Sequence, residues 1–516
     1  MEIELKLLLD PSDVNRFRRH PLLKNFTISK PPARQLTSVY FDTPELHLKQ
    51  NHTALRVRKI GRRMIQTCKS GGQVAAGLHQ RPEWESEIRG ETPDLPALLG
   101  LIESGSAVAE LLSAPSLAGR LQPIFTTQFR RTIWMLRIPS GAEIELALDQ
   151  GAVLHGDQSV AICEIELELK SGDPVSLFDV ALELQNSLPL RAANVSKAER
   201  GYAMHAPQAP VVAKAQPVSL SPVLTIEQGF QVLMSNCLAQ VQGNEDGVIH
   251  GRDPEHLHQM RVGLRRLRAT LGLFKQFIQP TPEIAAQLRW LASLLGPARD
   301  WEVLAVSTLS EAMRRSQGES KLDQLRQLAV AEAGKHRHAA ANAVSSHAYA
   351  QLLLLLGSWL EGRRWRQQQS AEQIAALSAP LKKFARGKLA GLQEKLLKRG
   401  KGLKRQGSGK RHRLRIAAKK VRYAAEFFAS YFPLKRTRGY VQGLTELQDI
   451  LGASNDLIVA GRLLQQIAVQ QPELESHCDL ALALLDSGDR QRTSKIKRAW
   501  RKFTELTPPA KAGGIR

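Results

Sequence analysis

Glu2, Glu4 and Lys6 stand at alternate positions in Met1-Glu2-Ile3-Glu4-Leu5-Lys6. Successive side chains of a β-strand point to opposite sides, so this spacing puts two carboxylates and an ammonium on one face, with Ile3, Leu5 and Leu7 on the other. Carboxylate oxygens ligate hard divalent ions, and an ammonium beside them holds an anion. The alternation returns in Leu55-Arg56-Val57-Arg58, in Glu83-Trp84-Glu85-Ser86-Glu87-Ile88, in Glu143-Ile144-Glu145-Leu146 and in Glu164-Ile165-Glu166-Leu167-Glu168-Leu169-Lys170. One such strand would be an ordinary solvated edge. Five of them, carrying both signs, call for a shared charged interior.

The elements that must position these groups are strand-like runs at 36–41, 54–59, 64–69, 84–88, 125–138, 142–148 and 160–169, with an amphipathic helix over Asp10 to Lys24. They predict an α+β domain over residues 1–205, an antiparallel sheet closing into a tunnel or barrel with flanking helices. Charges line its lumen, and helices cover its apolar outside. Residues 206–222 hold four prolines among small residues and read as a semi-rigid linker. Beyond it the sequence turns helical, rich in Leu, Ala, Gln, Arg and Lys. An all-α domain over 223–507 and a flexible tail over 508–516 complete the predicted organisation.

The helical part repeats itself. His258-Gln-Met-Arg261-Val-Gly-Leu-Arg265-Arg266-Leu-Arg268 aligns without a gap on His412-Arg-Leu-Arg415-Ile-Ala-Ala-Lys419-Lys420-Val-Arg422. Each copy has an apolar stripe at helical spacing, Met260, Leu264, Leu267, Leu271 and Phe274 against Leu414, Ala418, Val421, Ala425 and Phe428. Beside the stripes run basic rows, His258, Arg261, Arg265 and Arg268 in one copy, His412, Arg415, Lys419 and Arg422 in the other. A second matched element follows, Leu294-Leu295-Gly296 with Asp300 against Ile450-Leu451-Gly452 with Asp456. Two elements repeated in order predict a duplicated helical bundle. The two aspartates are expected to fix helix junctions.

Charge separates the two parts. Residues 1–205 hold 24 Lys+Arg and 24 Asp+Glu, so the whole net charge of +23 belongs to residues 206–516. That predicts a polyanionic partner for the helical part and a charge-matched site in the first. Four scattered cysteines exclude a zinc or disulfide framework and point to the cytoplasm. No basic-then-apolar leader opens the sequence, and the most apolar stretch, Ala348 to Leu360, is too short to span a bilayer. No membrane partner is expected.

With these residues in place, the chain resembles two known families. Glu2-x-Glu4-x-Lys6, Arg56-x-Arg58, Lys69, Arg130-Arg131, Asp149, Glu164-x-Glu166 and Ser196-Lys197 follow the order of the CYTH, or triphosphate tunnel metalloenzyme, superfamily. The histidine-led basic repeats resemble a CHAD domain, a helical module associated with polyphosphate. The pairing is similar to bacterial inorganic triphosphatases. The resemblance implies metal-dependent hydrolysis of inorganic triphosphate to pyrophosphate and phosphate. Glu2, Glu4 and Lys6 would be catalytic, and Lys6, Arg56, Arg58, Lys69, Arg130 and Lys197 would hold substrate. Glu2, Glu4, Asp149, Glu164 and Glu166 would hold Mg²⁺ or Mn²⁺. Of the arginine pair, Arg130 is expected inside, because Phe129, Arg131 and Ile133 share the opposite face.

The two basic rows are the expected polyphosphate contacts. Competing readings are a non-catalytic polyphosphate-binding protein, or hydrolysis of nucleoside or thiamine triphosphate on the same tunnel. Nucleic acid is the less favoured polyanion, since no base-stacking aromatic platform accompanies the charge.

Overall fold

The alternating segments form strands whose two faces are both used. In the computed structural model, which describes residues 2–251, 253–316, 320–401, 408–486 and 489–510, the strands are β1 (Glu2–Leu8), β2 (Thr27–Ser29), β3 (Arg34–Asp42), β4 (Thr53–Ile60), β5 (Arg63–Ser70), β6 (Gln73–Ala75), β7 (Leu78–Arg81), β8 (Glu83–Ile88), β9 (Gln122–Arg137), β10 (Glu143–His155), β11 (Gln158–Ser171) and β12 (Arg191–Ala192). They make one antiparallel sheet in the order β6-β7-β1-β11-β10-β9-β3-β4-β5-β8, with β12 beside β1 and β2 beside β9. Through Pro82 the chain passes directly from β7, second in this order, to β8 at its far end. Lys69 of β5 meets Glu2 of β1 at 2.5 Å, so an ion pair spans the interior between strands that share no ladder. The result is a curled half-barrel.

Its outer face is apolar and covered. Leu48, Leu55 and Cys68 pack under the helices Leu95–Leu99 and Ala107–Leu112. Phe17 meets Trp134 of β9 edge to face at 5.6 Å. Leu5 and Leu7 of β1 are fully buried, and the helix Val175–Gln185 packs on that strand. At one end the interior itself turns apolar, filled by Tyr40, Phe125, Phe129 and Tyr202 beside the helix Lys197–His205.

The chain divides into two compact units, Met1–Val211 with Ser346–Arg364, and Val212–Ser345 with Trp365–Arg516. The apolar stretch near 350 therefore belongs by its contacts to the first unit, although it lies within the range read as helical domain. It forms the helix His347–Glu361, which packs on the helix Val175–Gln185. Arg364 pairs with Asp179 just beyond its end. An all-round apolar helix is one that becomes buried. Among the described residues no helix is long and apolar enough to cross a membrane.

In the second unit the two sequence repeats lie on the helices Glu255–Phe274 and Ser408–Phe427, and Gly296 and Gly452 lie on Pro282–Val303 and Leu434–Gln470. The apolar stripes are buried, with Leu271 half-buried. The first copy passes through a π-turn at Leu304–Thr308, whereas the second continues as α-helix. Residues 207–221 carry no regular structure. The end of the expected tail, 511–516, lies outside the described residues.

At Gly151 of β10, paired with Phe129 of β9, a Cβ would lie 2.5 Å from Phe129 Cα. Gly151→Val is expected to destabilise the first unit by about 1–3 kcal/mol through overpacking, read as a lower urea midpoint at unchanged slope.

Candidate active site

Three neighbouring strands build the acidic wall. The register sets Lys6 opposite Glu166, Glu4 opposite Glu168, Asp149 opposite Glu164, and Glu145 opposite Glu168. Period-two alternation then sends all of these groups to the inside. Burial falls along β11, from Glu164 and Glu166, through half-buried Glu168, to exposed Lys170. The strand thus runs from a closed end to an open mouth. The cavity between the walls is about 250 Å³, lined by Glu2, Glu4, Lys6, Arg56, Arg58, Lys69, Arg131, Glu166 and Lys197 among others.

At the closed end the charges compensate one another. Lys197 lies 2.7 Å from Asp149 and 2.9 Å from Glu166, and also contacts Glu164. Arg131 makes a two-point contact with Asp149 at 2.7–2.8 Å and also reaches Glu166, while Arg200 holds Glu164. Lys6 bonds Glu166 at 2.5 Å and Glu4 at 2.9 Å. Burial opposes the charged forms, but the partners outweigh it. Lys197 and Lys6 are raised, and Glu166 is held well below the usual carboxylate range by Lys197, Lys6 and Arg131. Asp149 is lowered against its burial by Arg131 and Lys197.

Toward the mouth, Lys69 joins Glu2 to Glu83 at 2.5 and 3.1 Å, and Arg56 sits 3.7 Å from Glu83. Arg58 differs. Its Nε donates to Ser38 Oγ at 3.1 Å, and burial with the repulsion of Arg56 and Arg131 pushes its pKa down to about 9. A guanidinium so placed favours an anion in the cavity.

The expected residues are mostly brought together. Glu2, Glu4, Lys6, Arg56, Arg58, Lys69, Glu166 and Lys197 line the cavity, and Asp149 and Glu164 are buried behind it. Arg130 is a correction: it is exposed opposite Gln150, and Arg131 takes the inward place. Phe129 is inside with Arg131, because the closed end of the interior is aromatic. The ammonium of Lys197 lies 5.0 Å over the Phe129 ring. Arg200 was not singled out from sequence. Its position three residues after Lys197, on one helix face, was the available signal.

The second unit holds a basic pocket, also of about 250 Å³, where the repeats meet. His258, Arg261 and Arg265 of one copy line it with Arg415 and Lys419 of the other, joined by Arg299, Asp300, Asn455 and Asp456. Arg268, His412 and Arg422 do not line it. Arg268 is exposed, His412 meets Asn455 at 3.0 Å, and Arg422 lies 3.6 Å from Glu426. The second motif explains itself here. Arg261 donates to the carbonyls of Leu295 and Gly296 and sits 3.6 Å from Asp300. A Cβ at Gly452 would lie 3.5 Å from the Arg415 guanidinium. That is ordinary contact, and a Cβ at Gly296 would meet nothing within 4 Å, so the arginine demands glycine in neither copy. Tyr423, not foreseen, takes a 2.6 Å hydrogen bond from Arg265.

Comparison with known proteins matches residues 1–202 to the CYTH domain and residues 232–465 to the CHAD domain. The chain carries a CYTH domain followed by a CHAD domain. The crystal structure of the CHAD domain from the plant Ricinus communis is 37% identical, covers 58% of this chain and 99% of its own, and superposes with a TM-score of 0.52. An inorganic triphosphatase of Haemophilus influenzae (strain ATCC 51907 / DSM 11121 / KW20 / Rd) is 36% identical over 208 residues, 40% of this chain and 56% of that protein. An uncharacterized protein of Mycobacterium tuberculosis (strain CDC 1551 / Oshkosh) is 28% identical over 311 residues, 54% of this chain and 53% of that one. The chain thus spans a little over half the length of the curated relatives it matches.

In the CYTH domain, Asp149, Glu164 and Glu166 each offer a carboxylate oxygen, all within 4.8 Å of one another. An all-oxygen, all-anionic set suits a hard divalent cation. Lys197 touches all three. Lys197→Met is therefore expected to cost roughly 3–5 kcal/mol at neutral pH, since it takes one counter-charge from each of three buried carboxylates. In the unaltered protein the depressed Glu166 and Asp149 contribute stability that is present above their unfolded values of about 4 and lost as pH falls through the lower folded ones. Thermal melting of the full chain between pH 7 and pH 2 checks both statements.

Proposed function

We propose that the CYTH domain is a divalent-metal-dependent inorganic triphosphatase and that the CHAD domain binds polyphosphate. The observation that carries the first part is the cavity in which Arg56, Arg58, Lys69, Lys6 and Lys197 converge beside an intact carboxylate set. A pure anion receptor gains nothing from so many acids, whereas hydrolysis needs them. The similarity to the triphosphatase of Haemophilus influenzae supports the substrate.

In this reading Arg56, Arg58 and Lys69 hold oxygens of the phosphate chain through charge-assisted bonds, and Arg131 and Lys197 fix the end nearest the acids. Asp149, Glu164 and Glu166 would hold Mg²⁺ or Mn²⁺, which when bound neutralises developing phosphate charge. Glu2 and Glu4 orient the attacking water and accept its proton. The water oxygen bonds to the terminal phosphorus as the bridging P–O bond breaks, leaving pyrophosphate and phosphate. Lys6, between Glu4 and Glu166, keeps these acids in place and faces the chain. Four free cysteines fit a reducing compartment, the cytoplasm.

The deciding experiment follows phosphate release from tripolyphosphate, ATP, thiamine triphosphate and long-chain polyphosphate, with Mg²⁺, Mn²⁺ or EDTA. Release from tripolyphosphate that EDTA abolishes is expected. Silence on all four with tight polyphosphate binding would make the tunnel a receptor, and preference for ATP or thiamine triphosphate would change the substrate. Glu4→Gln is expected to lower turnover roughly 10²–10⁴-fold and leave polyphosphate binding intact.

For the CHAD domain the carrying observation is the pocket between the repeats, where cations outnumber the two aspartates. Burial and the neighbouring Arg265, Arg415 and Arg422 push Lys419 down to about 7. A bound polyanion supplies the missing counter-charge, so its pKa rises and protons are taken up on binding. Affinity for polyphosphate is expected to weaken as pH rises from 6 to 8, and Lys419→Arg to flatten that dependence, read by calorimetry in two buffers. In competition at physiological salt, retention of nucleic acid over polyphosphate would reassign the partner.

A further inference from the structure

Lys6 marks the place where β1 changes partner. On one edge β11 runs alongside residues 4–8 without interruption, but the other edge is shared. There β7 pairs with Glu2 to Leu5, and β12 takes over at Leu7 and Leu8. Across the gap the Lys6 N–H donates to Gly77 O at 2.9 Å, and the Lys6 carbonyl accepts from Ala193 N–H at 2.8 Å. Gly77 also donates to Asn194 Oδ1 at 2.9 Å. The backbone of one residue in the proposed active site is thus held along one edge by a hairpin turn and by the residue that follows a two-residue strand.

That turn is tight. Ala76 and Gly77 form the two-residue loop between β6 and β7, with φ of +53° and +82°, the mirror-image turn that favours glycine at both positions. Ala76 holds the left-handed conformation at a cost, which persists only where surroundings enforce it. A side chain at Gly77 would stand 2.9 Å from the Lys6 carbonyl. What encloses the turn from outside is the helix His347–Glu361. A Cβ at Gly357 would lie 3.0 Å from the Ala76 side chain and run into the Phe178 ring. The same helix packs on β12.

We propose that the helix His347–Glu361, seated through Gly357 on Ala76 and Phe178, is a positioning element for Lys6. This rests on the triphosphatase reading for its catalytic consequence only. Pressure on Ala76 keeps the turn closed, the closed turn fixes the Lys6 backbone, and the fixed backbone aims the ammonium at Glu4 and Glu166. The helix lies within the range matched by the CHAD domain and contributes to the CYTH fold. The tunnel is therefore built from two separate stretches of sequence, and a CYTH domain cut at the linker lacks one of them.

The test uses the full chain. Gly357→Ala is expected to lower kcat for tripolyphosphate roughly 10–100-fold, as a displacement on the ångström scale does, and to leave polyphosphate binding unchanged. Adding Phe178→Leu, which clears the larger obstruction, is expected to recover most of the loss. Acylation footprinting by mass spectrometry reads Lys6 without any activity: its labelling is expected to rise severalfold in Gly357→Ala. Unchanged kcat and unchanged Lys6 labelling in a natively folded variant would overturn the proposal, as would a loss that Phe178→Leu does not relieve. Should Gly357→Ala fail to fold, Phe178→Leu alone slackens the seat, and the same labelling decides. A parent protein that releases no phosphate would defeat the triphosphatase reading, yet the labelling result would still judge the positioning.

Discussion

Everything in the first unit depends on mutual neutralisation of ions out of water. Asp149, Glu164 and Glu166 are almost wholly buried, as are Lys6 and Lys197. Each would cost several kcal/mol to bury alone. They are tolerable only because each ion touches more than one of opposite sign, with Lys197 reaching three carboxylates and Lys6 two. Such compensation tolerates little error in register. A slip of one residue between β1 and β11 would turn the charged face outward and bring Leu5 and Leu7 into the tunnel. The ladder with β11 on one edge and the pairings with β7 and β12 on the other hold β1 against that slip.

The same demand explains the outside. A sheet whose inner face is spent on charge must draw its apolar burial from the outer face, so helices have to cover that face. The helix Val175–Gln185 covers β1, and the helix His347–Glu361 covers Val175–Gln185 in turn. This second layer comes from far along the chain. It shields the place where β1 changes partner, where a continuous neighbouring strand would otherwise have supplied the rigidity.

How much of this the sequence discloses follows from the geometry of each element. Alternation in a strand is fixed by its pleat, so Glu2, Glu4, Lys6, Arg56 and Arg58 could be placed on an interior face before any coordinates. The same reasoning misplaced Arg130, because it took an aromatic neighbour as a mark of the outside. Phe129 faces inward with Arg131, since the interior changes from charged to aromatic toward Tyr40, Phe125 and Tyr202. Alternation gives faces but does not say which face is wet. In the helical unit the basic rows were legible and the pocket was not. Only packing of one copy against the other decides that Arg265 and Lys419 turn inward while Arg268 stays exposed. The apolar stretch near 350 announced its burial, but its location depended on a surface assembled from Ala76 and Phe178, which no local pattern reveals.

On the proposed reading, the two sites would hold phosphate on opposite electrostatic terms. In the tunnel, cations are already satisfied by carboxylates, so an arriving phosphate chain must replace good contacts with better ones. It gains only where its oxygens match the fixed guanidinium and ammonium positions, and affinity there is a matter of geometry. In the CHAD pocket five guanidinium or ammonium groups face two carboxylates. There the cations repel one another, as the lowered Lys419 records, and any dense anion relieves the repulsion. Charge density rather than shape governs such a site, and it suits a polymer of variable length. On that reading selectivity is built where the acids are and capture where they are missing, and the carboxylates of the tunnel serve turnover rather than binding.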